Sequence, residues 1–183
     1  DVILVEKYNQ LYLAWVYIQN CSDKDIDSLP KLKVGDNIRN VNLSNEEIAY
    51  LSFIVSEGST GRYTVTKRSE PLISKRLKEL KENKYKIKHW DIRLGSYEDL
   101  ENAKATWFID PPYVDGGKHY KENNIDYKHL GYWCKSPLDY LRRSKSSALD
   151  PEACERFIQK RESQDDLFLF NSAIATVHID TPW

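Results

Sequence analysis

Ala105-Thr106-Trp107-Phe108-Ile109-Asp110-Pro111-Pro112-Tyr113 decides the fold class of this chain. It opens as an apolar, β-branched and aromatic run, the composition of a strand. Two consecutive prolines then stop it, because neither carries an N–H and each restricts the residue before it. They fix a carboxylate and an aromatic ring three residues apart at the strand's carboxyl end. Open α/β sheets place their ligands at that end.

Working outward, Trp90 to Leu94 predicts a second strand, leading into Gly95-Ser96-Tyr97. At the start of the chain, Val2-Ile3-Leu4-Val5 is a continuous apolar run of the kind found in buried parallel strands, and Glu6 closes it. Tyr8, Leu11, Tyr12 and Trp15 then follow i, i+3, i+4, i+7 spacing, the stripe of an amphipathic helix. Strand, acid and helix make half of a βαβ unit. The alternation predicts a three-layer α/β fold with a mostly parallel sheet, its strands near 2–6, 90–95 and 105–110 beside the site.

Between the first two strands, residues 21–45 are polar and read as an irregular insertion. Ser44 and Glu47 have capping-box spacing and predict a helix through about Val55, with Ile48, Leu51, Ser52 and Val55 on one face. Gly58-Ser59-Thr60-Gly61 ends it. Pro71 suits the first position of another helix, whose apolar stripe is Ile73, Leu77 and Leu80. Downstream of Tyr113 lies a loop with Gly116-Gly117, His119-Tyr120 and Ile125-Asp126-Tyr127. A helix is expected to begin across 129–134. Residues 137–162 predict two helical pieces broken at Asp150-Pro151, and 167–170 and 173–179 predict strands. The division expected is a domain over 1–136, with an inserted basic segment at about 21–89, followed by helices and strands over 137–183.

The chain has 183 residues, enough for one domain with a real core. Its 27 basic and 28 acidic residues leave a net charge of -1, so any nucleic-acid face must be local. Residues 62–89 provide one. Arg62, Lys67, Arg68, Lys75, Arg76, Lys78, Lys81, Lys84, Lys86 and Lys88 stand against Glu70, Glu79 and Glu82. Cys21, Cys134 and Cys154 are odd in number and far apart, which argues against a disulfide framework. His89, His119, His129 and His178 show no metal-ligand spacing, so no metal is expected. No apolar run approaches about 20 residues, the length of a membrane span. No signal peptide is visible, and a cytoplasmic setting, in a bacterium or a phage-infected host cell, is the expectation. A domain that opens directly on a core strand is expected to lack something N-terminal.

Asp110-Pro111-Pro112-Tyr113 resembles the catalytic motif of the amino-methyltransferases. The run from Ile87-Lys88-His89-Trp90 through Gly95-Ser96-Tyr97 to the tetrapeptide is similar to phage-type DNA adenine-N6 methyltransferases. So are the downstream Gly-Gly, His119-Tyr120, Ile125-Asp126-Tyr127, Leu130-Gly131 and Trp133-Cys134, and the strand ending in Glu6 with its aromatic helix. The likeness covers roughly residues 1–136. It implies a Rossmann-like fold, S-adenosylmethionine as cofactor, and double-stranded DNA as partner with the target adenine flipped out. Asp110 and the Pro111 carbonyl would accept the two N–H bonds of the adenine amine, Pro112 would stiffen the loop, and Tyr113 would stack on the base. Glu6 would hold the cofactor ribose. Ser96 and Tyr97 would cup its adenine. Arg62, Lys67, Arg68, Lys75, Arg76 and Lys78 would meet phosphates, with His119 and Tyr120 as further substrate contacts.

The chain departs from that pattern in places. The glycine-rich Phe-x-Gly-x-Gly loop expected before the first strand is absent from these residues, and Ser96 stands where an Asp is frequent. Residues after about Ser136 do not continue the pattern, although Asp180-Thr181-Pro182-Trp183 faintly echoes the motif. Two other functions therefore stand beside DNA adenine methylation. One is a non-catalytic nucleic-acid-binding relic. The other is a methyltransferase of RNA adenine or of a glutamine amide, the last disfavoured because Asp rather than Asn precedes the prolines. Plainer readings also exist: a strand terminator for the tetrapeptide, a surface acid for Glu6, a simple turn for Ser96-Tyr97, and a solvated helix face for the lysines.

Overall fold

Val2, Leu4 and Val5 are buried, and the strand they form, β1 (Val2–Glu6), is hydrogen-bonded on both sides. The structure, a computed structural model, describes residues 2–56, 61–100, 106–110, 124–133 and 174–178. After β1 come α1 (Asn9–Asn20), α2 (Asp23–Ser28), a 3-10 turn (Ile38–Asn40), α3 (Asn45–Ile54), α4 (Glu70–Asn83) and a second 3-10 turn (Lys84–Ile87). Then follow β2 (Asp91–Leu94), a third 3-10 turn (Tyr97–Asp99), β3 (Thr106–Asp110), α5 (Tyr127–Trp133) and β4 (Ile174–His178).

The four strands form one sheet in the order β2-β1-β4-β3. β1 and β2 are parallel, while β4 runs antiparallel to both β1 and β3. β1, β2 and β3 therefore point the same way, and their carboxyl ends share one edge. The three segments expected beside the site do lie in one sheet. Among the described strands, though, the sheet is mixed rather than mostly parallel. The cause is β4, a strand foreseen from its composition, which enters between β1 and β3 in the opposite sense. A period of two marks a strand without marking its direction.

The helices pack on this sheet through a single apolar cluster. It joins Leu4 of β1 with Leu11, Ala14, Trp15 and Ile18 of α1, Leu51 and Ile54 of α3, Val65, and Ile73 and Leu80 of α4. Tyr17 stacks on Tyr50 with ring centroids 5.0 Å apart, and Trp15 meets Trp90 at 6.1 Å. The segment 21–89 is thus part of the same core as β1, not an appendage to it.

Local signals explain the helix ends. Ser44 Oγ accepts from Glu47 N and the Glu47 carboxylate accepts from Ser44 N, closing the capping box that starts α3. The helix buries more than the expected face: Ala49, Tyr50, Phe53 and Ile54 are buried along with Leu51 and Ser52, while Ile48 is half-buried. It runs between α1 and α4 and so meets neighbours on several sides. Residues 21–45 are less irregular than expected. A second capping box, between Ser22 and Asp25, starts α2, which tucks Ile26 into the core. In α4, Pro71 is the second residue, and Ile73 and Leu80 are buried with Leu77 half-buried. The predicted helices of 137–162 and the strand at 167–170 lie outside the described residues.

Candidate active site

β1 ends in Glu6 because the apolar run ends there, and the chain turns at once into α1. The acid is fully buried. Its Oε1 accepts from the backbone N–H of Tyr8 at 2.8 Å, which offsets part of the cost of burying a carboxylate. Glu6 is therefore not an ordinary surface acid. Its backbone carbonyl accepts from Gly95 N at 3.0 Å, so the residue that begins the Gly95-Ser96-Tyr97 segment is held directly beside it.

The register completes the edge. Glu6 is the partner of Leu94 on one side and of Ile174 on the other, and Ile174 is in turn the partner of Asp110. Leu94, Glu6, Ile174 and Asp110 thus form one row across the sheet. With strands spaced by about 4.8 Å, the backbones of Glu6 and Asp110 stand roughly 9–10 Å apart. Pro111, Pro112 and Tyr113, and likewise His119 and Tyr120, lie outside the described residues.

Beyond β2 the chain turns tightly. Ser96 N donates to Asp99 Oδ2 at 2.7 Å, and a Cβ on Gly95 would come within 2.8 Å of the same oxygen. Tyr97 opens the 3-10 turn and is half-buried. Its hydroxyl lies 2.8 Å from Nδ1 of His129 on α5, and its ring meets Trp133 edge-to-face at 5.3 Å. Glu98 Oε1 is 3.5 Å from the same imidazole nitrogen. Asp126 holds His129 in place by accepting from its backbone N–H at 2.9 Å. His129 and Trp133 were not among the residues singled out for the site. Trp133 enters only among the residues that carry the family resemblance, and His129 as the start of an expected helix.

A buried carboxylate, a glycine-led turn and an aromatic ring suit an adenosyl group chemically. The acid can accept from vicinal hydroxyls, and the ring can lie against a purine. The described groove of about 370 Å3, lined by Val16, Tyr17, Cys21, Ser44 and Glu47 among others, is elsewhere, between α1, α2 and the start of α3.

A polar network that the sequence did not reveal adjoins Glu6. Gln10 Oε1 accepts from the hydroxyls of Tyr8 at 2.7 Å and Tyr63 at 3.0 Å, and its Nε2 donates to Ser52 Oγ. The Arg39 guanidinium covers the Tyr63 ring at 3.4 Å. Gly61 allows this closure: a Cβ there would come within 2.5 Å of Ser52 Oγ and 2.6 Å of Gln10 Nε2.

The basic residues divide. Arg62, Lys67, Arg68, Lys75 and Lys78 are exposed. Lys75 and Lys78 face Glu79 and Glu82 one turn on, at 3.7 and 3.8 Å. Arg76 instead turns inward and donates to the carbonyls of Phe53, Ile54 and Ser56, capping the end of α3. Lys81 and Lys84 bind Asp27 and Asp23 and tie α4 and the turn after it to α2. Among the described residues no group of His, Cys, Asp and Glu is arranged to hold a metal, and no helix is long and apolar enough to cross a membrane. No protein-family model, curated protein or solved structure matches the chain.

Proposed function

We propose that this protein is a DNA adenine-N6 methyltransferase that uses S-adenosylmethionine and has a Rossmann-like sheet. The observation that carries the reading is the row Leu94–Glu6–Ile174–Asp110. It supports the pairing of a cofactor acid with a catalytic acid at one edge, as the sequence motif implies. Glu6 would hold the ribose, and Ser96 and Tyr97 would border the adenine of the cofactor. When bound, S-adenosylmethionine supplies an electrophilic methyl group.

The amine of adenine is a poor nucleophile because its lone pair is delocalised into the ring. Asp110 and the Pro111 carbonyl accept its two N–H bonds and so draw the lone pair out of conjugation. Tyr113 stacks on the extruded base. Positioning and electrostatics carry the rate, and no covalent intermediate on the protein is required. The exposed Arg62, Lys67, Arg68, Lys75 and Lys78 would contact phosphates; Arg76, bound to α3, is left out of this set.

The test is transfer of a tritiated methyl group to DNA, followed by nucleoside analysis. N6-methyladenine is expected, and Asp110→Ala should abolish it while leaving cofactor binding unchanged, because the lost bonds are made only to the reacting amine. Product appearing as 5-methylcytosine, or full activity in Asp110→Ala, overturns the proposal. One observation favours a second reading, a nucleic-acid-binding protein without catalysis: Glu6 is completely enclosed, with Oε1 already engaged by Tyr8. DNA binding without any S-adenosylmethionine binding would select it.

A further inference from the structure

The contact between the 97–99 turn and α5 joins two parts of the chain 32 positions apart in sequence. One follows β2 and borders the row of strand ends. The other follows the Asp110 motif. The described contacts between them include the hydrogen bond of the Tyr97 hydroxyl with His129 Nδ1, Glu98 Oε1 at 3.5 Å from the same nitrogen, and the Tyr97–Trp133 ring contact. A tyrosine in a short turn has two free torsions, and stacking on a purine needs its ring in one orientation. Trp133 at 73° to the ring limits one side of its swing, and the bond at the hydroxyl limits its tip.

The geometry points to His129 as a positioning residue that fixes the Tyr97 ring for a purine, so that α5 and the cofactor segment act as one unit. The inference rests on the proposed use of Ser96-Tyr97 for the adenine of the cofactor. In the arrangement that does this, neutral His129 carries its proton on Nε2, and Nδ1 accepts from the tyrosine hydroxyl. Among the described residues, the titratable groups set against His129 are Tyr97 and Glu98 on the turn, at its imidazole, and Asp126, at its backbone N–H. An ionised carboxylate has no proton to give, so among these neighbours the tyrosine hydroxyl is the donor that fits an unprotonated Nδ1. With its side chain 51% exposed, His129 can be replaced without opening the core.

The experiment measures S-adenosylhomocysteine affinity by calorimetry at pH 8 for the parent, His129→Ala, His129→Asn, Tyr97→Phe and the Tyr97→Phe/His129→Ala double variant. Nitrogen-15 spectra report the His129 tautomer without ligand. Loss of one ordering hydrogen bond should weaken binding about tenfold in His129→Ala and in Tyr97→Phe. The double variant should be no weaker than either single one. His129→Asn, whose side-chain oxygen falls near the position of Nδ1, should recover part of the loss. Nδ1 should be unprotonated in the parent. Unchanged affinity in His129→Ala, additive losses in the double variant, or a protonated Nδ1 at pH 8 each overturn the inference and leave the proposed function standing. No binding by the parent or any variant overturns the cofactor reading itself, and this inference with it.

Discussion

α4 and the carboxyl edge of the sheet are both rich in charge, yet they use it differently. On α4 and the turn that follows it, the inward-turned cation closes the end of another helix, Lys81 and Lys84 hold this region to α2, and the outermost pair sits over glutamates one turn away. At the sheet edge a carboxylate is fully buried, in line with Asp110 two strands away. The helix carries more charge, and the edge makes the stronger case for chemistry. A count of charges says little until the partner of each is known. Burying a carboxylate is costly, and a fully buried acid at a strand's carboxyl end marks a candidate functional site to test.

This contrast can be broken or sharpened by experiment. The largest stability effect is expected inside α4. Arg76→Ala leaves three carbonyls at the end of α3 without their cationic donor and should lower unfolding free energy by about 2–3 kcal/mol in a urea titration, against under about 0.5 kcal/mol for Lys75→Ala. Equal effects would erase the distinction between the inward and outward faces of the helix. Next comes Gly61→Ala. The new methyl would overlap Gln10 and Ser52, so a loss of about 1–3 kcal/mol is expected, with the 61–65 segment released from α1.

A smaller effect appears with alkali. Burial pushes the Cys21 thiol from 9.0 up to about 11, and burial likewise raises the Tyr17 and Tyr50 hydroxyls. Between pH 9 and 11 the unfolded chain therefore loses the thiol proton while the folded chain keeps it. The folded state binds more protons in that window, so stability should fall as pH rises through it and be fully present below pH 9. Melting temperatures across that range check the sign, and a stability rising toward pH 11 contradicts it. The smallest stability change belongs to Lys75→Glu/Lys78→Glu, within about 0.5 kcal/mol of the parent. If the outer face of α4 meets DNA, that variant should bind several-fold more weakly, with a shallower dependence on salt. Binding identical to the parent across a salt titration would assign α4 to structure alone.

Much of the frame was legible before folding was considered. The strands at 2–6 and 106–110 follow from apolar runs that stop at Glu6 and at Pro111, because a strand ends where its side chains stop being apolar or its backbone loses a donor, while the strand at 91–94 alternates charged and apolar residues up to Gly95. α1, α3 and α4 follow from spacing, from the Ser44–Glu47 box and from Pro71, all interactions within one turn. α2 escaped because six residues give too short a window for periodicity, although its Ser22–Asp25 box was there to be read.

What tertiary structure alone decided is of another kind. The direction of β4 and its place between β1 and β3 are set by the strands it pairs with, not by its own composition. The inward turn of Arg76, the gathering of Ser52 and Tyr63 around Gln10, and the meeting of Tyr97 with His129 join residues 22 to 53 positions apart. Local periodicity carries the information for elements because neighbours in a helix or strand are neighbours in sequence. Partners across elements are set by packing, which no window of the sequence contains.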